Sequence, residues 1–101
     1  MAPAKLTVDP VVDLEGTRLF FAQAAGCEHI RVRKRGDLII LESGPEDDPV
    51  AHARLRRVTS QWWTLEMGIT GKWERTPFRA PRRELLQMLL DQFPWVLAKI
   101  A

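Results

Sequence analysis

The sequence predicts one α+β domain in which an antiparallel meander of four to five strands is flanked by an N-terminal and a C-terminal helix. Short runs of alternating apolar and polar residues recur over 29–77, separated by turn-forming residues, which is typical of half-buried strands. Helical spacing occurs only before and after this region, so no helix is available to connect parallel strands. A chain of 101 residues has the size of one domain, here 1–101, in which we expect 1–8 to form a loose N-terminal arm.

The N-terminal helix is predicted from its start and stop signals. Asp9 and Pro10 indicate a start, because aspartate can cap a helix and proline is tolerated in its first turn. Asp13 is a second candidate cap. Apolar residues then follow at helical spacing up to Gly26, and glycine is common at helix C-termini. We therefore expect this helix to end at Gly26.

A hairpin is predicted next, because the segments EHIRVRKR and DLIILES flank Gly36, which suits a type II′ turn. For a two-residue turn that contains this glycine, Arg31 and Arg33 lie on one side of the hairpin. Leu38 and Ile40 share that side. The second strand is thus apolar on both sides, which is typical of a central strand.

Three more strands follow in the sequence. The acidic segment 43–49 is expected to form an exposed loop before the third strand, VAHARLRRV. The fourth strand, QWWTLEMGI, lies between turns predicted at 59–60 and 70–71. The fifth strand, KWERTPF, contains Pro77, which confines it to an edge of the sheet.

The C-terminal helix is predicted to open at Pro81 and to carry one apolar stripe of leucines. It should end before Pro94. The tail that follows, PWVLAKI, is unusually apolar for a chain end. Phe93, Trp95 and Leu97 therefore either close the core or contact a partner protein, for which a second copy of this chain is the simplest choice.

Composition and charge indicate a globular protein with a modest excess of cations. Hydrophobic residues make up 46% and charged residues 28%, and 15 Lys and Arg stand against 13 Asp and Glu. A single cysteine fits a reducing compartment. The sequence contains no stretch long and apolar enough for a signal peptide or a membrane span. We therefore expect a cytoplasmic protein that does not contact the membrane.

The pattern His-x-Arg-x-Arg occurs twice and is the most informative feature for function. His29 begins the first copy and His52 the second, and the intervening residues are apolar. Residues two apart in a strand project to the same side, roughly 6.6 Å apart. Such a row of arginines can bind successive phosphates through paired hydrogen bonds. The candidate phosphate-binding residues are Arg31, Arg33, Arg54 and Arg56.

Tryptophans near these arginines complete a candidate nucleic-acid site. Trp62 and Trp63 fall on opposite faces of the fourth strand, so one of them points away from the core. Trp73 is placed on that second face, over the gap left by Gly68. Aromatic rings beside arginines provide the base stacking that binds single-stranded nucleic acid. Nucleic acid is therefore the first partner hypothesis, with Trp62 and Trp73 as stacking residues, and an acidic protein is the second.

A plainer interpretation is that the arginines solvate an ordinary sheet face. Their stems would cover aliphatic residues of the second strand, and their charges would pair with Glu42, Glu66 and the acidic loop. The choice depends on whether the two arginine rows share one face. The sequence leaves this open, because the loop at 43–49 does not set the register, and Arg56-Arg57 is a candidate bulge that would reverse the facing.

The sequence carries no motif for catalysis, for a cofactor or for a metal. Cys27 lies two residues from His29, which is not a zinc-ligand spacing. No carboxylate pair or glycine-rich phosphate loop stands out, and no helix-turn-helix, zinc finger or RNA-recognition strand motif is present. We therefore predict a non-catalytic binding module without catalytic residues, cofactor or metal. The main alternative is a protein-interaction or regulatory module that docks through the apolar sheet face and the C-terminal tail.

Overall fold

The computed structural model describes residues 10–69 and 72–98, so the predicted arm, the turn at 70–71 and the chain end lie outside it. Five strands form one antiparallel sheet in the order β1-β2-β3-β4-β5, and the predicted α+β meander is confirmed. Within the described residues, no helix is long and apolar enough to cross a membrane. The elements are α1 (Pro10–Gln23), β1 (Arg31–Arg35), β2 (Leu38–Ser43), β3 (Val50–Arg57), β4 (Trp63–Ile69), β5 (Lys72–Ala80), α2 (Arg82–Gln92) and a 3₁₀-helix (Pro94–Leu97).

The β1–β2 hairpin has the predicted two-residue turn and the predicted facing of its side chains. A two-residue turn follows Arg35, which pairs with Leu38, and Gly36 occupies the turn with a φ of 57°. Glycine suits this position because a positive φ is unfavourable for other residues. Arg33 pairs with Ile40, so the arginines and the aliphatic residues of β2 share one side, as predicted.

Both helices pack on one side of the sheet, and the hydrophobic core lies between them and the strands. The apolar stripe of α2 supplies Leu85, Leu86 and Leu89, and α1 supplies Phe21. The 3₁₀-helix closes the core at one end with Val96 and Leu97. The sheet contributes Val32, Ile39, Leu41, Ala53, Leu55, Trp63, Leu65 and Met67.

The ends of two elements differ from the prediction. The α1 helix ends at Gln23 rather than at Gly26, which instead follows in a turn with a φ of 83°. Strand β4 begins at Trp63, so Trp62 lies in a turn and not in the strand. This turn is tight because the N–H groups of Val58 and Thr59 both donate hydrogen bonds to the Trp62 carbonyl.

The predicted bulge at Arg56-Arg57 is wrong. Arg56 and Arg57 pair regularly with Thr64 and Trp63, and the irregularity in β3 lies at His52 instead. A second irregularity interrupts the pairing of β4 with β5 around Pro77. The sequence placed this strand, β5, at the sheet edge. Pro77 is tolerated there because an edge strand does not need every N–H group.

Candidate functional site

The strand registers place both arginine rows on the side of the sheet that faces away from the helices. Arg33 pairs with Ile40, Ile40 with Arg54, Arg54 with Glu66 and Glu66 with Arg75. Paired residues in neighbouring strands project to the same face. We call this surface the arginine face. It carries Arg31, Arg33, Arg35, Arg54, Arg56, Arg75 and Arg79, together with Glu42, Glu66 and Trp73.

Glu66 is the carboxylate at the centre of the arginine face. Its oxygens accept hydrogen bonds from Arg54 Nε at 2.6 Å and from Arg56 Nε at 3.0 Å, and the residue is only 3% exposed. Burial by itself raises the pKa of Glu66, but the hydrogen bonds and charges of Arg56 and Arg54 outweigh it and lower the pKa. Glu66 is therefore ionised at neutral pH and holds both guanidinium groups in place.

Glu42 repeats this arrangement nearer to β1. Its carboxylate lies 3.2 Å from Arg33 Nη2 and 3.8 Å from Arg31 Nη2. Arg31 also donates a hydrogen bond to the carbonyl of Gly44. Its solvent-shielded Nη2 has no hydrogen-bond acceptor among the described residues. Glu42 therefore holds the first arginine row in place. At least one guanidinium nitrogen of this row remains able to donate a further hydrogen bond.

The arginine face keeps an excess of positive charge after this pairing. Each of the two carboxylates is shared by two arginines, so each group of three carries one net positive charge. Arg75 and Arg79 form no ion pair within 10–69 and 72–98. The pairing with Glu42 and Glu66 is thus present, and the two arginine rows share one face, a point that the sequence left open. Neither interpretation of the arginines excludes the other.

Trp73 and Trp62 lie at opposite ends of β4, where they cannot form one stacking platform. Trp73 pairs with Gly68, and its ring lies under the guanidinium of Arg54, with the Arg54 Cζ atom 4.1 Å from the ring centroid. Trp62 is 43% exposed in the turn before β4. The six residue steps from 62 to 68, where Trp73 pairs, separate the two by roughly 20 Å.

A hollow of about 250 Å³ opens on the arginine face between these tryptophans. Arg56 and Arg75 lie on its wall, with the Glu66 carboxylate and the Thr64 side chain beside them. Val58, which is 43% exposed, adds an apolar rim. The hollow therefore combines two cations with a hydroxyl group and an apolar edge.

The two histidines of the repeated pattern do not belong to the arginine face. A bulge places Ala51 opposite Glu42 and Ala53 opposite Leu41, so His52 has no partner in β2. Because a bulge changes the facing of a side chain, His52 points to the core side while Arg54 does not. There its Nδ1 lies 2.8 Å from the carbonyl oxygen of Val96.

His29 makes the equivalent contact one residue further along the chain. Its Nε2 lies 2.7 Å from the carbonyl oxygen of Leu97, and the two histidine rings are 6.0 Å apart. A carbonyl oxygen only accepts, so each of these ring nitrogens donates. Both histidines therefore fasten the 3₁₀-helix to the sheet, which the sequence alone did not predict.

Ser43 and His52 form a hydrogen bond that resembles a nucleophile and its base. The Oγ and Nε2 atoms are 2.7 Å apart, and Nδ1 is oriented by the Val96 carbonyl. Ser43 and His52 are only 6% and 3% exposed, so a substrate has no approach to the hydroxyl group. Burial lowers the pKa of His52, and the charge of His29 lowers it further, against the raising effect of the Val96 carbonyl. The pair is therefore a neutral structural contact.

Cys27 is buried under α1 and is not poised for reaction. Burial raises the pKa of its thiol, and the nearby Glu28 charge raises it further. Within the described part of the chain, no group of three or more potential metal-ligating side chains comes together.

The three residues predicted to bind a protein partner differ in their exposure. Leu97 is 2% exposed and belongs to the core, so it is not available at the surface of this chain. Phe93 is partly buried against the core, where it packs on Phe78. Trp95 is 62% exposed and contacts the edge of the Phe93 ring. The C-terminal surface available to a partner is therefore centred on Trp95.

Comparisons with models of protein families, with curated proteins and with solved structures gave no match to this chain.

Proposed function

We propose that this protein is a non-catalytic module that binds single-stranded nucleic acid across its arginine face. The observation that carries the proposal is the placement of seven arginines and Trp73 on one helix-free face, on which the strand pairs within 10–69 and 72–98 place two carboxylates. Such a surplus of guanidinium groups attracts a polyanion, and each arginine can bind a phosphate through paired hydrogen bonds.

The spacing of the arginines suits a flexible strand. They lie on β1, β3 and β5, which alternate with strands that carry none on this face, so the rows are roughly 10 Å apart. Within a row the side chains repeat at roughly 6.6 Å. A single strand can cross these rows at several angles, because its backbone bends between phosphates.

Exposure divides the arginines into two groups. The side chains of Arg33 and Arg56 are 48% and 42% exposed, which leaves guanidinium nitrogens free to bind phosphate. Arg54 is 18% exposed and lies between Glu66 and the ring of Trp73. Arg54 therefore orients the tryptophan, and Trp73 offers the stacking surface for a base.

Fluorescence anisotropy with a labelled 15-nucleotide oligothymidine at low salt tests this function. Arg33→Ala, Arg56→Ala and Arg75→Ala should each weaken binding, and each should reduce the slope of log K against log salt by about 0.7. Arg83→Ala is the matched control, because it removes the same charge from the exposed surface of α2. No binding at low salt, or an equal loss in the control, would refute the proposal.

A protein-interaction module that docks through the C-terminal surface is the second candidate function. It is supported by the exposure of Trp95, since large exposed aromatic residues are enriched at protein interfaces. Sedimentation of the wild type and of Trp95→Ser over a range of concentrations tests the homodimer version. A concentration-dependent dimer that Trp95→Ser abolishes supports it, and a monomer at all concentrations refutes it.

A further inference from the structure

Strand β1 forms one edge of the sheet and offers unpaired backbone groups. It pairs with β2 alone, and unlike the other edge strand, β5, it contains no proline. Arg35 and Leu38 close the two-residue turn and exchange hydrogen bonds, and hydrogen-bonded and non-hydrogen-bonded pairs alternate from there. The N–H and C=O groups of Val32 and Lys34 therefore point away from β2. No other backbone group within 10–69 and 72–98 bonds to them.

A groove runs along this edge between β1 and α1. It consists of two adjoining hollows of about 390 Å³ and 610 Å³, which share Arg18, Arg31 and Val32 in their walls. Phe21 and Cys27 lie at one end of the groove. A helix beside an exposed strand edge is a geometry into which an extended peptide can add as a further strand.

The two sides of the groove differ in chemistry. On the helix side of the sheet, an added strand would meet apolar groups that include Leu14, Phe21 and Val32. On the opposite side it would lie beside Arg31 and Arg33, which share the single carboxylate of Glu42. The walls of the groove also hold Glu28 and Glu46. Successive side chains of a strand point to opposite faces, so the groove fits a strand in which apolar and acidic residues alternate.

The charge of β1 also disfavours a second copy of this chain at the edge. Its sequence is RVRKR, and pairing two such strands would bring like charges directly opposite one another. An acidic strand would be attracted to this edge, because its carboxylates would pair with the same cations. Charge therefore selects a different protein over self-association at this edge.

We propose that β1 binds an extended acidic segment of a partner protein, which adds to the sheet as a sixth strand beside α1. The backbone of the segment bonds to Val32 and Lys34, its apolar residues enter the groove, and its carboxylates bind Arg31 and Arg33. This interaction shares Arg31 and Arg33 with the proposed nucleic-acid site, but it does not depend on nucleic-acid binding.

The test uses a labelled eight-residue peptide that alternates Glu and Val, titrated with the full chain and followed by fluorescence anisotropy. Lys34→Pro removes the outward N–H group of the edge, and Lys34→Gln is the matched control that removes only the charge. We expect Lys34→Pro to weaken binding about fivefold more than Lys34→Gln, because one backbone hydrogen bond is lost and the proline ring obstructs pairing. Circular dichroism checks that both variants are folded.

Peptide controls separate strand addition from simple charge attraction. A peptide of the same composition with four Val followed by four Glu should bind weakly, because it loses the alternation. Equal binding of the two peptides, or equal effects of the two Lys34 variants, would refute the proposal. Concentration-dependent self-association that Lys34→Pro abolishes would also refute it, since a second copy would then occupy the edge.

A further variant distinguishes this proposal from the proposed function. Arg79 lies on β5, at the opposite edge of the sheet from β1. Arg79→Gln should weaken oligothymidine binding and leave the binding of the alternating peptide unchanged. A loss of peptide binding in Arg79→Gln would mean that the peptide lies on the arginine face rather than at the β1 edge, which would refute strand addition.

Discussion

On the open side of the sheet, Glu66 lies between Arg54 and Arg56, and all three side chains come from the adjacent strands β3 and β4. On the helix-covered side, Asp13 of α1 lies between Arg57 of β3 and Arg82 of α2. Each group consists of two arginines and one carboxylate. The second, however, joins three elements that are far apart in sequence, so it holds the helices to the sheet, whereas the first leaves Arg56 facing solvent.

The exposure of one arginine differs most between these groups, because the Arg56 side chain is 42% exposed whereas Arg54, at 18%, is shielded as much as Arg82. The side chain of Arg57 is 9% exposed and that of Arg82 is 20% exposed, and burial lowers the pKa of both. Arg57 also lies over the ring of Trp63, with 4.2 Å between its Cζ atom and the ring centroid. An arginine in such surroundings directs its guanidinium group to other residues of this chain and stabilises the fold. The exposed guanidinium groups of the arginine face retain donors for a ligand.

The largest expected effect comes from Asp13→Asn, which leaves the half-buried Arg57 and Arg82 without a carboxylate. The free energy of unfolding should fall by about 3 kcal/mol, because an unpaired buried charge is costly. The matched change on the open side is Glu42→Gln, beside Arg31 and Arg33, and it should lower stability by less than about 1 kcal/mol. Urea denaturation of both variants measures this contrast, and equal losses would show that burial is not what separates the two sides.

A smaller loss is expected for Gly68→Ala. A Cβ at Gly68 would lie 2.5 Å from the carbonyl oxygen of Ala51, which the bulge at His52 brings close to β4. Relief requires movement of the backbone, so we expect a loss of about 2 kcal/mol in unfolding free energy.

The control for this variant is Gly26→Ala, where nothing lies within 4 Å of the added Cβ. Gly26 has a φ of 83°, so alanine there should lose about 1 kcal/mol from backbone conformation alone. If Gly68→Ala were no more destabilising than Gly26→Ala, the close approach of β3 to β4 would not constrain this position.

Local patterns in the sequence were sufficient to predict the order of the elements and half of the arginine face. The two-residue turn at Gly36 fixes the facing of Arg31 and Arg33, because a hairpin with so short a turn has one register. The facing of Arg54 depends instead on how β3 aligns with β2 across a six-residue loop, at 44–49, and on a bulge. Neither has a local signal in the sequence.

The role of the histidines could not be predicted for a related reason. His52 contacts a carbonyl 44 residues away in sequence, and His29 contacts one 68 residues away. The period of two placed both histidines on the same face as the arginines, because histidine and arginine alternate with apolar residues in one pattern. Only the bulge, together with the packing of the 3₁₀-helix against the sheet, separates the histidines from the arginines.

The smallest expected effect is a dependence of the free energy of unfolding on pH. It follows from the burial of His52 on the core side of the sheet. Because the pKa of His52 is lowered in the folded protein, the unfolded chain binds the proton more readily. The free energy of unfolding should therefore be highest above the ordinary histidine pKa and should fall as the pH drops below it. Protonation would also place a charge 6.0 Å from the ring of His29 and oppose hydrogen bonding from Ser43 to Nε2.

Urea midpoints at pH 7.5 and pH 5.0 measure this effect, and His52→Gln should reduce the difference between them. Glu66 titrates in the same acidic direction, because its pKa is lowered and its stabilisation is lost as the pH falls. Its titration begins at the ordinary glutamate pKa, so it acts mainly below pH 5 and contributes little in this window. An unchanged pH difference in His52→Gln would assign the dependence to groups other than the histidine that fastens the 3₁₀-helix.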